Sequence, residues 1–358
     1  MERIATGLIA RGARVTIFCA EHGMAPRDEV RDGIRFVRRG TKMGIYARGL
    51  AMLATRRFGK VDLVVDVQNG LPFFTRLGTS VPVIVLVHHV HREQWPVVYP
   101  GPTGKIGWWI ERRLAPRLYR NCQYVAVSRA TRDELLEQGI DGHRIAVVHN
   151  GTDPAPEVST PRTSHRSICV VGRLVPHKQV EHAIDAWSVL RSEWPDLTLT
   201  IAGAGWWEQE LRDYATAAMD RVGPLPTRAI TFEGHVDEQR KHEIYAQSWV
   251  MALPSLKEGW GLVVGEAGMH GTTTVAYRSA GGTQESIEDG VSGLLVDNED
   301  EFAPAIARVL RERELRHRLA AGARTMSHRF TWGRAQESFA TVVAESIERH
   351  ISSGVDPH

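Results

Sequence analysis

Short β-branched runs alternate with helix-period stretches along almost the whole chain. Residues 1–11 place Ile4, Leu8 and Ile9 on one helical face, and Gly12 stands where that helix would end. Strand-like runs follow at 15–18, 63–67, 83–87, 124–127 and 145–148. The alternation predicts an α/β fold of parallel sheets with helices on both faces. It breaks over 150–166, where Gly151, Pro154, Pro156, Ser159, Pro161 and Ser164 stand among few apolar residues. That stretch reads as a linker. Further runs come at 168–171, 197–202, 230–232, 249–253, 273–276 and 294–296. After Glu299 the chain is mainly helical, and its last amphipathic segment spans 331 to about 351. Two doubly wound domains are expected, at 1–150 and 167–330, joined by a linker over 151–166 and followed by a helical segment, 331–358.

The opening departs from this scheme. In a doubly wound domain each helix follows a strand, yet here the chain opens inside a helix. The strand before it would lie centrally in the sheet, and its loss would expose pairing edges. Roughly 15–25 further residues are expected ahead of Met1, one strand plus a loop, unless another segment fills the gap.

A length of 358 residues also suggests two domains. At 42% hydrophobic and 24% charged residues the composition is that of a soluble globular protein. The longest apolar run, 81–87, is strand-sized and far below the ~20 residues that span a bilayer. No signal-peptide pattern opens the sequence, so a cytoplasmic location is expected. Cys19, Cys122 and Cys169 have neither disulfide-framework nor zinc-ligand spacing and read as buried thiols.

The net charge of +2 hides an asymmetry. Residues 1–150 hold 23 Lys and Arg against 13 Asp and Glu, a net +10, and the remainder is net −8. The first half therefore suits an anionic partner. Residues 105–120 contain Trp108, Trp109, Arg112, Arg113, Arg117 and Arg120 on a helix-like stretch that could lie peripherally on anionic lipid at the inner face of the cytoplasmic membrane. The bland alternative buries one Trp in the core and leaves the arginines in solvent. Nucleic acid is not expected, because no recognition motif accompanies the charge.

Chemistry concentrates in two places. In the stretch 253–268, Glu258 and Glu266 flank Gly259-Trp260-Gly261 where a loop enters a helix near Leu262. Glycines admit close backbone approach, and free amides at a helix start favour an anionic or hydroxyl-rich ligand. Glu266, one turn in, could reach a ribose diol; alternatively, it is a solvated Glu on a capped helix. The second place is Gly172-Arg173-Leu-Val-Pro-His-Lys178, just after the first strand of the second domain. Ligands bind at strand carboxyl ends in such folds, and Arg173 and Lys178 could bracket a diphosphate. A departing nucleoside diphosphate needs that positive charge.

The spacing Gly-Arg-Leu-x-x-x-x-Lys, followed some eighty residues later by Glu-Gly-Trp-Gly-x-x-x-x-Glu-Ala, resembles the retaining glycosyltransferases of family 4 (glycosyl transferases group 1). Phe232-Glu-Gly-His235-Val236, His149-Asn-Gly-Thr-Asp153, Gly281-Gly282 with Glu285, and Gly293-Leu-Leu-Val fit in the same order. The resemblance covers essentially the whole chain. It implies the GT-B fold, two Rossmann-like domains facing across a cleft, with the last helix crossing back near Trp332. It also implies sugar transfer from a UDP- or GDP-linked donor to a glycan or lipid-linked acceptor in cell-surface glycoconjugate synthesis. No cofactor or metal is implied, since Arg and Lys do the neutralising.

Carried over by position, the resemblance gives Arg173 and Lys178, beside Gly172, to the donor diphosphate and Glu266 to the ribose hydroxyls. Glu258 and the amides of Gly259, Trp260, Gly261 and Leu262 are implied to hold the sugar and phosphate, and the backbone beside His235 and Val236 the base. The family often has a His at the position of His88, touching the donor sugar, which favours His88 over His89 and His91. The family's glycine-rich loop has no counterpart here; Glu2-Arg3 resembles the residues just after it. Two alternatives share the architecture: a catalytically degenerate paralogue serving as a binding or scaffold subunit, and a nucleotide-sugar epimerase.

Overall fold

The computed structural model describes residues 1–23, 25–41, 44–223 and 229–352. The chain forms two compact units, the first from 1–151 with 332–358 and the second from 152–331.

The first unit holds α1 (Glu2–Ile9), β1 (Thr16–Cys19), β2 (Asp28–Arg31), β3 (Ile34–Arg38), α2 (Gly44–Ala54), β4 (Val64–Gln68) and β5 (Val83–Val87). It continues with α3 (Gln94–Val98), α4 (Pro102–Trp109), α5 (Ala115–Leu118), β6 (Gln123–Ala126), α6 (Arg129–Glu137) and β7 (Ile145–Val147). These strands make two sheets, β1-β3-β2 and the all-parallel β4-β5-β6-β7. β5 is buried along its whole length, which is why 83–87 reads as an unbroken apolar run.

One element departs from the sequence reading. β2 and β3 are antiparallel, with Arg31 opposite Ile34. The two residues between them, Asp32 and Gly33, have φ of 52° and 76°. A tight turn of that hand matches the twist of a hairpin.

The second unit contains β8 (Ser167–Val171), α7 (Val180–Leu190), β9 (Thr198–Ala202), α8 (Glu208–Val222), β10 (Ile230–Gly234), α9 (Glu238–Gln247) and β11 (Val250–Leu253). After these come α10 (Leu262–Met269), β12 (Thr273–Tyr277), α11 (Thr283–Ser286), β13 (Gly293–Val296), α12 (Glu299–Arg311) and α13 (Arg313–Arg329). Its six strands are all parallel, in the order β10-β9-β8-β11-β12-β13. Alternate residues serve opposite faces. Ile168, Val170, Leu199, Ile201 and Val275 pack with Trp187 of α7 and Phe302 of α12, while Cys169, Met251 and Ala276 pack with Tyr245 of α9 and Val264 of α10.

The stretch expected as a linker is docked on the second unit. Arg162 donates to the carbonyls of Ser248 (2.6 Å) and His270 (3.1 Å), and the Thr163 amide to that of Gln247 (3.0 Å). The Arg162 guanidinium and the Thr163 amide thus satisfy carbonyls that helix or sheet bonds leave open. The last helix, α14 (Trp332–Ser352), returns to the first unit, where Gln336 donates to the Arg3 carbonyl (2.6 Å) and Arg349 to Gln123 (2.6 Å). Of the expected last segment, 353–358 lie outside the described residues.

All three cysteines are free; burial pushes the Cys122 thiol up to about 11 and the Cys169 thiol up to about 12. Among the described residues no helix is long and apolar enough to cross a membrane.

Candidate active site

The strand order of the second unit reverses at β8. From there β9 and β10 are added on one side, and β11, β12 and β13 on the other. Loops leaving the carboxyl ends of β8 and β11 therefore turn to opposite faces and leave a crevice between them, the usual ligand position in such sheets. Both motifs singled out from the sequence lie on these two loops.

The β8 loop runs from Gly172 through a 3-10 turn, Pro176–Lys178. A Cβ on the neighbouring Gly203 would fall 1.8 Å from the Gly172 carbonyl oxygen, so only glycine lets the two loops pass. Lys178 Nζ lies 2.5 Å from Glu258 Oε1, which also accepts from the Ser255 hydroxyl at 2.7 Å. The Leu256 amide donates to the His177 carbonyl (2.9 Å), stitching the loops together at the backbone as well. Arg173 is exposed, and its guanidinium makes no hydrogen bond or ion pair with the described residues.

The β11 loop is held from its far side. The Glu258 amide donates to Ala280 (2.7 Å), and its carbonyl accepts from the Gly282 amide (2.9 Å). Gly261 has φ +81°, and α10 starts directly after it with no side-chain cap. The Val264 amide donates to the Gly261 carbonyl (2.9 Å), and the amides of Leu262 and Val263 are left to solvent or a ligand. Leu262 is exposed at that end, whereas the Trp260 indole is buried edge-on to Phe330, 4.6 Å between ring centres. Trp260 therefore anchors the turn by packing.

Glu266 lies one turn into α10. Its Oε1 accepts from Lys241 Nζ (3.1 Å) and its Oε2 from the Tyr245 hydroxyl (2.9 Å). Burial, then the Glu266 charge, raises the Tyr245 phenol well above its ordinary range, so it stays a donor. Burial opposes the Lys241 ammonium, but Glu266 and Glu238 hold its pKa above the usual lysine value. Neither residue was singled out from the sequence; their spacing of four places both on one face of α9. His235 is exposed and Val236 half-buried just after β10, where the Gly234 carbonyl accepts from the Gly203 amide (2.8 Å) and Asp237 caps α9 through the Arg240 amide (2.7 Å).

His88 belongs to the first unit and follows β5. Burial, then the chain's amino terminus and His91, lowers its pKa to about 4, so the ring is neutral at pH 7. Its side chain has no hydrogen-bond partner among the described residues. His89 and His91, set aside in its favour, lie against each other with ring centres 4.2 Å apart and planes tilted by 38°. Among the described residues no group of three or more His, Cys, Asp or Glu could hold a metal ion.

Known proteins share this organisation. The family model for glycosyl transferases group 1 matches residues 153–326, and that for Glycosyltransferase Family 4 matches 1–156. Glycogen synthase of Mycobacterium tuberculosis is 27% identical over 96% of this chain and 89% of its own length. A D-inositol 3-phosphate glycosyltransferase of Xylanimonas cellulosilytica is 31% identical over 63% of this chain and 57% of that enzyme. Sucrose-phosphate synthase from Thermosynechococcus elongatus superposes with a TM-score of 0.77 at 17% identity, covering 96% of this chain and 91% of that one. Anabaena HepE in complex with UDP and glucose gives 0.66 at 19%, over 87% and 85%. The structural likenesses establish the fold, and the two family models between them cover both units: the chain is a glycosyltransferase of the family 4 type, with the GT-B fold of two Rossmann-like α/β units.

Proposed function

We propose that the enzyme moves a sugar, with retention of anomeric configuration and without a metal, from a UDP- or GDP-linked donor to a glycan or lipid-linked acceptor. The observation that carries this reading is the contact of Lys178 with Glu258 across the sheet's switch point. A donor diphosphate entering there would take Lys178 from Glu258 and engage the unpaired Arg173. Two cations and the uncapped start of α10 would then neutralise the leaving group. Glu258, released, would accept from the sugar hydroxyls, and Glu266, held by Tyr245 and Lys241, from the ribose. The UDP and glucose bound by HepE are of the same chemical kind.

The acceptor reading draws on the first unit, working at the inner face of the cytoplasmic membrane in cell-surface glycoconjugate synthesis. Trp108 packs against its core, but Trp109 is 54% and Ile106 60% exposed. Lys105, Arg112, Arg113 and Arg117 are exposed around them, and Glu111, the one acid between 102 and 120, is buried. A basic face with apolar tips suits anionic lipid, at ~1 kcal/mol for each cation near the surface.

The test incubates the full chain with UDP- and GDP-hexoses and reads nucleoside diphosphate release and the anomeric proton coupling of the product. Transfer with retention supports the proposal. Sugar isomers formed without acceptor would replace it with epimerase chemistry, and absence of turnover alongside nucleotide binding with a scaffold role.

A further inference from the structure

The first unit carries a second polar constellation, built around His91. β4 and β5 pair with Gln68 opposite Val87, so Asn69 and His88 leave the sheet side by side at its carboxyl edge. Three residues on, the His91 backbone amide and Nδ1 both lie 3.1 Å from Glu111 Oε1, and Nε2 lies 3.0 Å from Asn69 Oδ1. Glu111 Oε2 accepts from Trp95 Nε1 at 2.6 Å. Glu111 is 0% exposed, so a carboxylate has been taken fully out of water to receive three donors.

The local fold is shaped to this end. Glu111 sits in a π-helical turn, Ile110–Leu114, inserted between α4 and α5. Such turns are frequent at functional sites. Here the turn sends Glu111 inward while Arg112 and Arg113 stay in solvent. Trp95 is seated against glycines: a Cβ on Gly107 would lie 2.3 Å from its ring, and one on Gly70 3.0 Å. A buried carboxylate of this kind is seldom more stabilising than apolar packing of the same volume. Its advantage lies in fixing the groups that it holds.

The group fixed is the imidazole. Glu111 accepts only, so Nδ1 carries a proton, and in the singly protonated ring Nε2 is an acceptor. That nitrogen faces the exposed Asn69 amide, whose oxygen and nitrogen are interchangeable by a flip. With the amide turned to donate, Nε2 and Asn69 form an acceptor–donor pair at the solvent side of a closed cluster. Gln68, the residue before Asn69, is 2% exposed, and its Oε1 has no hydrogen-bond partner among the described residues.

We propose that His91, positioned by Glu111, and Asn69 form the first unit's recognition site for a hydroxyl of a polyhydroxylated acceptor. The hydroxyl donates to Nε2 and accepts from the Asn69 amide, replacing their mutual contact. This inference rests on the transferase reading above, but it concerns the acceptor and not the donor.

The experiment follows the His91 ring nitrogens of the full chain by long-range 1H–15N NMR while methyl α-D-glucopyranoside or myo-inositol is added. Wild type should show the Nδ1–H form, with the Nε2 signal moving on addition of at least one polyol. Asn69→Ala, on the exposed side and safe for folding, should weaken that response about tenfold, the loss of one hydrogen bond. Glu111→Gln should shift the ring away from the Nδ1–H form. Both variants should keep wild-type UDP or GDP binding. A His91 signal unmoved by either polyol would overturn the proposal, as would an Asn69→Ala response equal to wild type. Failure of UDP, GDP and ADP to bind wild type would instead count against the donor reading.

Discussion

Removing one buried hydroxyl gives a sharp test of how Glu266 is held. Tyr245 is fully buried, and its hydroxyl donates to Glu266 Oε2 at 2.9 Å. Tyr245→Phe keeps the ring and leaves no large cavity, so the change isolates the hydrogen bond. A bond to a charged acceptor contributes about 1.5–3 kcal/mol when buried. The Glu266 side chain keeps 19% exposure, and water can partly replace the phenol, which places the loss at the lower end. Taking about 1.5 kcal/mol at ~2–4 °C for each, the second unit should melt roughly 3–6 °C lower. Glu266 would keep Lys241 but lose one of its two restraints, so UDP or GDP should bind about fivefold more weakly, an effect of about 1 kcal/mol. Lys241→Ala should do likewise, and the double variant should fall short of additivity because both partners share one carboxylate. Calorimetric titration of the nucleotide and thermal melts read both quantities. Unchanged melting together with unchanged affinity in Tyr245→Phe would refute the claim that this phenol orients Glu266.

Other outcomes follow from the same structure. Ile106→Asp with Trp109→Asp should abolish sedimentation with phosphatidylglycerol vesicles while melting stays at the wild-type value; retained sedimentation would remove the lipid reading. Gly203→Ala should destabilise by about 2–4 kcal/mol in chemical denaturation, because its Cβ would meet the Gly172 carbonyl at a φ of +135°. The His88 and His270 pKa values are lowered from 6.5 to about 4, chiefly by burial, with His242, Arg324 and Arg162 adding to the effect at His270. The unfolded chain then binds more protons between these limits, so stability is full above pH 6.5 and falls as pH drops toward 4. Replacing His270 by Gln should flatten that slope in denaturant titrations across the interval, and an unaltered slope would contradict the assignment.

The sequence revealed most where one residue type has one physical use. Runs such as 83–87 and 168–171 read as strands of a parallel sheet, and Gly259 to Gly261 between two carboxylates marked the start of α10. The β2–β3 hairpin carried a readable signal, Asp32-Gly33, but β2 is short and charged, with Val30 as its one apolar residue. Lys241 and Tyr245 were hidden because their meaning depends on α9 packing beside α10, 25 and 21 residues from Glu266 in sequence. Glu111 was harder still. In a regular helix it reads as one more charge among arginines, and only the π turn sends it inward to His91. Trp260 shows the converse, a motif residue whose side chain supports the turn from within.

The most direct test of the central claim is calorimetric binding of UDP, GDP and ADP to wild type and to Lys178→Ala. If the crevice between β8 and β11 holds the diphosphate, at least one nucleotide binds wild type, and loss of the ammonium weakens it about tenfold or more. Equal affinity in the two proteins would place the diphosphate elsewhere and contradict the account.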